Sequence, residues 1–191
     1  MNKSYFPILA LFLFVSCGNP DVQLQGERSE LNAEDELEQY TEAGRRAELN
    51  LPMPDFSEDA LGGGTLSAGM LNGQLTIVNF WATWCGPCII EIPEFVALYD
   101  EWADRPFEIV GVSMDPEGFE LVEPFATELQ MSYPIIIDEG ELADAFGGVY
   151  ALPTTFLVDA EGTIVYRFIG LFPIDEMRES MEELLIEAEN I

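Results

Sequence analysis

Residues 75–88 read LTIVNFWATWCGPC, an apolar run that leads directly into two cysteines with only Gly-Pro between them. The continuous apolar character of Leu75–Phe80 predicts a strand buried on both faces of a sheet. After the cysteines, apolar residues recur at helical spacing, at Ile92, Phe95, Val96, Tyr99 and Trp102. Cys85 therefore falls where a buried strand gives way to a helix.

This position favours chemistry at Cys85. Backbone N–H groups at the start of a helix stabilise negative charge and lower the pKa of a thiol placed there. Cys88 lies one turn further along the same face, within reach of Cys85 to close a small disulfide. Pro87 suits a first helical turn, where its missing N–H costs nothing. The spacing predicts a two-step exchange, in which Cys85 attacks a substrate disulfide as the nucleophile and Cys88 resolves the mixed disulfide.

Two other interpretations of the cysteine pair are weaker. A purely structural bridge that closes so short a loop would add little to a domain of this size. A zinc site would need two further soft ligands, and the chain has no histidine and only one other cysteine, Cys17. The lack of histidine also excludes Ser-His-Asp and Cys-His catalysis. We therefore expect no metal and no cofactor beyond a redox-active Cys85–Cys88 disulfide.

The composition limits the domain count and the partners. With 191 residues, 48% of them apolar, the chain is sized for one main domain. It carries 36 acidic and 7 basic residues, too few bases to form a patch that binds nucleic acid. An anionic membrane surface would repel such a chain, so any membrane attachment must be hydrophobic. The acidity itself indicates solubility, or adaptation to a salty medium, rather than a particular partner.

Residues 1–16 have the order of a secretory signal peptide, with Lys3 ahead of an apolar run and small residues after it. The run is too short to cross a bilayer, which needs ~20 apolar residues. Phe14-Val-Ser-Cys17 resembles the lipobox of bacterial lipoproteins, although leucine is usual where Phe14 stands. In that family the cysteine becomes the acylated first residue of the mature chain, which would account for the odd cysteine of an exported protein. The alternatives are an ordinary signal peptide cut nearby and a buried free cysteine.

Residues 17–50 are polar and acidic, with few large apolar side chains. Such a segment cannot bury enough surface to offset its ordering entropy, so we expect a largely disordered tether. A role in binding a partner is the alternative. The folded domain is expected over residues 51–191.

Strands and helices alternate through this predicted domain. Gly62–Gly64 and Asn72-Gly73 surround a short strand at Thr65–Ser67, which predicts an N-terminal hairpin. The other predicted elements are strands at 107–113, 133–138, 154–159 and 163–168, and helices at 121–129, at 141–146 and from about 173. This order indicates an α/β protein with a mixed central sheet flanked by helices on both faces.

The segment Asn79–Cys88 resembles the active site of thioredoxin-like proteins, most closely the exported, membrane-anchored TlpA/ResA type of the AhpC/TSA-redoxin superfamily. The resemblance covers roughly Pro52–Glu189, including the strand and helix inserted at 134–148 and the motif LPTTFLVD at 152–159. It implies a thioredoxin-like fold in which Pro153 is a cis-proline that faces the disulfide. It also implies a substrate groove formed by Trp81, Trp84, Gly86, Pro87, Leu152 and Thr154.

The same resemblance implies a thiol–disulfide oxidoreductase held by lipid on the extracytoplasmic face of a bacterial membrane. Gly-Pro between the cysteines is the thioredoxin dipeptide and indicates a reductant of exported proteins, apocytochrome c among them. Electrons would come from a membrane partner, because the sequence has no nucleotide-binding glycine motif. Three alternatives remain: a disulfide oxidase or isomerase, a thiol peroxidase that uses an arginine to polarise peroxide, and a non-enzymatic lipoprotein that chaperones apocytochromes or copper.

Two residues are placed to tune the cysteines. Asn79 stands where ordinary thioredoxins carry a buried acid that handles the proton of the resolving cysteine, and an amide cannot titrate. Glu91 follows Cys88 by three residues, and in the ResA-like branch a glutamate at this point lies near the cysteines. We hypothesise that Glu91 serves as a proton relay in place of that acid. A solvated helix glutamate is the equal alternative.

Overall fold

The computed structural model describes residues 46–191. The predicted signal peptide 1–16, the proposed lipidation site Cys17 and residues 18–45 of the predicted tether lie outside this range. The first strand begins at Arg46, so residues 46–50 belong to the folded domain and the predicted start at Leu51 is late.

Eight strands form one large sheet and one hairpin. The strands are β1 (Arg46–Pro52), β2 (Ser57–Asp59), β3 (Thr65–Ser67), β4 (Leu75–Trp81), β5 (Phe107–Ser113), β6 (Ile135–Ile137), β7 (Thr154–Val158) and β8 (Thr163–Ile169). Six of them lie in the order β1-β8-β7-β4-β5-β6, while β2 and β3 pair separately as the predicted hairpin. β4, β5 and β6 run parallel, and the other pairings in the large sheet are antiparallel. The predicted mixed sheet is confirmed.

Four α-helices connect or flank these strands. They are α1 (Gly86–Glu101), α2 (Phe119–Glu128), α3 (Glu141–Ala145) and α4 (Ile174–Ala188), and a short 3-10 helix spans Ala68–Leu71. The sequence predicted that α2 would start or break at Pro124, but the helix begins at Phe119 and runs through that proline. None of the helices within residues 46–191 is long and apolar enough to span a bilayer.

Strand β4 lies at the centre of the core, and all seven of its residues are buried. Leu75, Ile77 and Trp81 belong to the hydrophobic cluster that packs against α1 and α4. The intervening Val78 and Phe80 belong to a second cluster on the opposite face. This alternation is the two-residue period of a strand, and burial on both faces explains why five of the seven residues are apolar.

The second face of the sheet is covered by the hairpin and by α3. Leu66 from β3 and Leu142 and Phe146 from the α3 region pack there with Phe80 and Phe156. The ring of Phe146 lies 5.4 Å from that of Phe80 and 4.8 Å from that of Phe156, between centroids. The predicted hairpin and the helix of the predicted insertion therefore form the second layer of the domain, while the strand of that insertion, β6, is the edge strand of the sheet.

The strand directions fix where the chain enters the domain. Thr154 of β7 lies opposite Phe80 at the end of β4 and opposite Ile169 at the end of β8. Arg46, the first residue of β1, lies opposite Phe168. The chain consequently enters the sheet at the end where β4 leads into the two cysteines.

The Gly111→Ala substitution should destabilise the fold. A β-carbon at position 111 would lie 3.1 Å from Trp81 Nε1 and 3.1 Å from Tyr133 Cε2, so one of these rings must move. Overpacking of this kind costs about 2 kcal/mol, which urea unfolding would measure. Gly69→Ala is the control, because nothing lies within 4 Å of a β-carbon there. Equal unfolding midpoints for the two variants would contradict the expectation.

Candidate active site

Cys85 caps the N-terminus of α1. Its backbone is extended (φ −86°, ψ 102°), and its Sγ accepts a hydrogen bond from the backbone N–H of Cys88 at 3.3 Å. Pro87 lies in the first turn, as predicted from its missing N–H. Because the sulfur of Cys85 lies at the positive end of the helix, its thiolate form is stabilised there.

The two cysteines differ in accessibility. Their sulfur atoms are bonded to each other, and their Cα atoms lie 5.3 Å apart. Cys85 is 5% exposed and Cys88 is 0% exposed. Only Cys85 can therefore be approached by another molecule, while Cys88 can react only with the sulfur of Cys85. This asymmetry matches the predicted division into an attacking and a resolving cysteine.

A groove of about 600 Å³ opens beside Cys85. We call it the Cys85 groove; it is lined by Trp84, Cys85, Gly86, Pro87, Met114, Val149, Tyr150, Ala151 and Leu152. None of these side chains is charged, although residues 46–191 carry 28 acidic side chains and four arginines. Trp84 is 68% exposed and Tyr150 is 90% exposed, so both aromatic rings are largely exposed at the surface.

The sequence predicted only part of this lining. Trp84, Gly86, Pro87 and Leu152 were expected in the groove and are found there. Met114 and the loop 149–151 were not predicted, because they are distant in sequence from the cysteines. The loop immediately precedes Leu152, and that adjacency was the one signal that pointed to it.

Pro153 and Thr154 follow Leu152 and are not among the residues that line the groove. The Leu152–Pro153 peptide bond is cis, as the resemblance implies. Thr154 was expected to line the groove, but this is wrong: its side chain is buried and its hydroxyl donates to Ala151 O at 2.8 Å. Thr154 also lies within the sheet, between Phe80 and Ile169, so its backbone faces neighbouring strands rather than a bound substrate.

Trp81 was likewise expected in the groove, and this is also wrong. It is the last residue of β4 and is fully buried. Its ring stacks on that of Phe125 in α2, with centroids 5.6 Å apart. Trp81 therefore supports the loop that carries the cysteines from inside the core and does not touch the groove.

Glu91 lies in the interior, directly against Asn79. It is 2% exposed, so the alternative of a solvated helix glutamate is wrong. Its Oε1 accepts a hydrogen bond from Asn79 Nδ2 at 2.9 Å, and its Oε2 accepts one from the backbone N–H of Phe172 at 3.1 Å. Asn79 Nδ2 also donates to Thr155 Oγ1 at 3.0 Å. The amide and the carboxyl group together form a buried, hydrogen-bonded polar pair.

Burial raises the pKa of Glu91 from its ordinary value of 4.5 to about 7. The hydrogen bonds from Phe172 and Asn79 favour the ionised form and limit this rise, whereas the charge of Glu94 adds to it. Glu91 lies on the same buried face of α1 as Cys88. A carboxyl group that titrates near neutral pH is suited to accept or donate a proton there.

The sequence profile of a known family matches most of the described domain. Residues 49–167 match the AhpC/TSA family. The chain belongs to this family. Among its relatives, the thiol-disulfide oxidoreductase ResA of Halalkalibacterium halodurans is 35% identical over 135 residues, which are 70% of this chain and 76% of that protein. Thioredoxin-like protein YneN of Bacillus subtilis is 33% identical over 131 residues, which are 68% of this chain and 76% of that protein.

A solved structure gives the same result for the fold. The thioredoxin-family thiol:disulfide interchange protein of Chlorobium tepidum superposes with a TM-score of 0.65 at 32% identity, covering 73% of this chain and 99% of that one. The family match, these relatives and the capped Cys85–Cys88 pair identify a TlpA/ResA-type member with a thioredoxin-like fold. The chain is a thiol–disulfide oxidoreductase.

Proposed function

We propose that this protein reduces disulfide bonds of exported proteins on the outer side of a bacterial membrane. The observation that carries this proposal is the placement of Cys85, which caps a helix and lines an open groove without charged side chains. A groove of this size accommodates a segment of polypeptide around a disulfide. The Gly-Pro dipeptide between the cysteines supports the reducing direction, and apocytochrome c is one candidate substrate of this kind.

The reaction proceeds in two exchanges that balance. The Cys85 thiolate attacks one sulfur of the substrate disulfide, forms a mixed disulfide and releases the other substrate sulfur as a thiolate. Cys88, after losing its proton, attacks Cys85 Sγ, which frees the second substrate thiolate and leaves the Cys85–Cys88 disulfide. Two electrons have passed to the substrate. Glu91 accepts the proton of Cys88 in this second step, a role supported by its burial and its pKa of about 7.

The protein needs an electron donor and a location. A membrane protein that carries a dithiol would return Cys85 and Cys88 to the reduced state. Residues 1–16 would direct export, acylated Cys17 would hold the chain at the extracytoplasmic (periplasmic) face of the membrane, and residues 18–45 would act as a tether. The lipobox resemblance of Phe14–Cys17 supports the lipid anchor.

The other candidate functions find less support. A thiol peroxidase needs an arginine beside the reactive sulfur, and none of the four arginines within residues 46–191 lines the Cys85 groove. A non-enzymatic chaperone would keep its activity in cells after Cys85→Ala and Cys88→Ala, whereas the reductase would lose it. An oxidase or isomerase shares the chemistry and differs only in direction, which the reduction potential decides.

Equilibrium with defined thiol buffers, using the full chain in detergent, would give the reduction potential of the Cys85–Cys88 pair. We expect a value near that of thioredoxin, about −270 mV. Such a value favours electron flow from the protein to substrate disulfides. A value near the strongly oxidising end, about −120 mV, would instead make the protein a disulfide donor and overturn the proposed direction.

Removal of the exposed aromatic rings should weaken substrate binding. Trp84→Ala and Tyr150→Ala each delete a large surface ring at the Cys85 groove, and such rings often dominate binding energy. We expect each to raise KM for a protein disulfide roughly tenfold with little change in kcat. Leu121→Ala, an exposed apolar residue of α2, is the control. Unchanged KM values for both Trp84→Ala and Tyr150→Ala would contradict the proposed binding of substrate in the Cys85 groove.

A further inference from the structure

Asp115 is a buried carboxylate that is hydrogen-bonded to the loop before Cys85 and not to either cysteine of the disulfide. Asp115 follows the end of β5 and is 0% exposed. Its carboxylate accepts three hydrogen bonds, two from Thr83 and one from Ser113. Thr83 donates its backbone N–H to Oδ2 at 2.9 Å and its hydroxyl to Oδ1 at 2.7 Å. The hydroxyl of Ser113 donates to Oδ2 at 2.8 Å. A buried charge is tolerated only with such partners, so its position is tightly fixed.

These bonds hold the turn that presents the nucleophile. Thr83 and Trp84 are the central residues of a turn closed by the Cys85 N–H, which donates to Ala82 O at 3.1 Å. Both oxygens of Asp115 bind Thr83, one through the backbone and one through the side chain, so the turn can neither slide nor rotate freely. Bonds to a charged acceptor away from water are strong, because no solvent competes for them.

The same carboxylate connects two segments that line the Cys85 groove. Trp84 in one segment directly follows Thr83, and Met114 in the other directly precedes Asp115. The backbone N–H of Met114 donates to Trp81 O at 2.8 Å, which holds the second segment against the end of β4. A shift of Asp115 would therefore move both segments and change the direction in which Cys85 points.

We infer that Asp115 is a positioning residue that sets the width of the Cys85 groove and the orientation of Cys85 through its two bonds to Thr83. It has no hydrogen bond to either cysteine and acts through the turn. This inference rests on the proposed use of the groove for polypeptide substrates. It predicts that loosening the turn harms reactions with proteins, which must fit the groove, more than reactions with small disulfides, which need only reach the sulfur.

The test compares Thr83→Val with Thr83→Ser in the full chain. Valine removes the hydroxyl bond to Asp115 and keeps the backbone bond, whereas serine retains both. The second-order rate of oxidation of the reduced protein is measured with insulin and with hydroxyethyl disulfide. We expect Thr83→Val to slow the insulin reaction roughly tenfold and the small-disulfide reaction by less than about twofold, because modest misplacement penalises oriented reactions most. Thr83→Ser should restore both rates.

Asp115→Asn provides a second variant, since an amide cannot accept from all three donors, and it should show the same selective loss. Equal losses with both disulfides, or no loss with either, would overturn the inference even if thermal unfolding shows a lower Tm. Wild-type protein that fails to react with insulin would instead contradict the proposed reductase. In that event the oxidised protein is used, and its rate with reduced insulin chains is compared with its rate with dithiothreitol. The proposed reductase activity and the proposed role of Asp115 can then fail independently of each other.

Discussion

Replacing Cys85 with serine should abolish disulfide exchange, whereas replacing Cys88 with serine should leave the first attack intact and trap the substrate. Cys85 is the only sulfur of the pair that reaches the groove, so its loss removes the nucleophile and should lower turnover by at least roughly a thousandfold. Without Cys88 the mixed disulfide has no resolving thiol. Mass spectrometry should then find an adduct on Cys85 in a one-to-one ratio with substrate.

Cys17→Ser is the matched control, because it removes the cysteine that is not part of the Cys85–Cys88 pair. It should leave exchange in solution unchanged. The assignment would be reversed if Cys88→Ser abolished the first attack, or if the trapped substrate were found on Cys88. Turnover that survived the loss of both active-site cysteines would exclude the dithiol mechanism altogether.

Glu91→Gln should stabilise the protein above neutral pH and do so much less at pH 5. The folded state holds a proton on Glu91 up to a pKa of about 7, whereas the unfolded chain releases it near 4.5. Between these values the folded state binds more protons, so wild-type stability falls as pH rises through this window. The full loss above pH 7 corresponds to about 3 kcal/mol. Glutamine carries no such penalty.

Urea unfolding of the oxidised protein at pH 5 and pH 8 would measure this difference. Glu187→Gln also removes one carboxylate, but from an exposed position on α4, and should show a small difference that does not depend on pH. A difference in unfolding free energy between wild type and Glu91→Gln that is the same at pH 5 and pH 8 would contradict the raised pKa of Glu91. The same variant should slow the resolving step at pH 7, because Cys88 then loses its proton acceptor.

The centre of the fold was readable from the sequence because its signals are local. The apolar run of β4, the helical spacing of α1 and Pro87 near its start are all contained within residues 75–102. The sequence motifs alone do not decide whether Glu91 is buried or solvated, but the helical periodicity of α1 favours burial. Glu91 occupies the same face as Cys88, Ile92 and Phe95, and all four are buried.

The incorrect predictions concern positions whose structure depends on contacts between residues far apart in sequence. The strand before the cysteines was predicted to end at Phe80, one residue early, so Trp81 was placed in the loop. Trp81 belongs to β4 instead, and its side chain lies in the same core cluster as Ile77. Strand β1 has no buried residue and only a short alternation, in which Ala47 and Leu49 are half-buried, and it forms because β8 offers an unpaired edge. The pairing of Asp115 with Thr83 spans 32 positions and has no local signal.

The entry point of β1 has a consequence for how the anchored protein would work. Under the proposed acylation of Cys17, the tether of residues 18–45 joins the domain at the end that carries Cys85. The contour length of this tether is at most roughly 100 Å. The end of the domain that carries Cys85 is then also the end attached to the membrane. A redox partner embedded in the same bilayer can reach the Cys85 sulfur after a small rotation of the domain. Soluble substrates must instead approach through the space between the domain and the membrane.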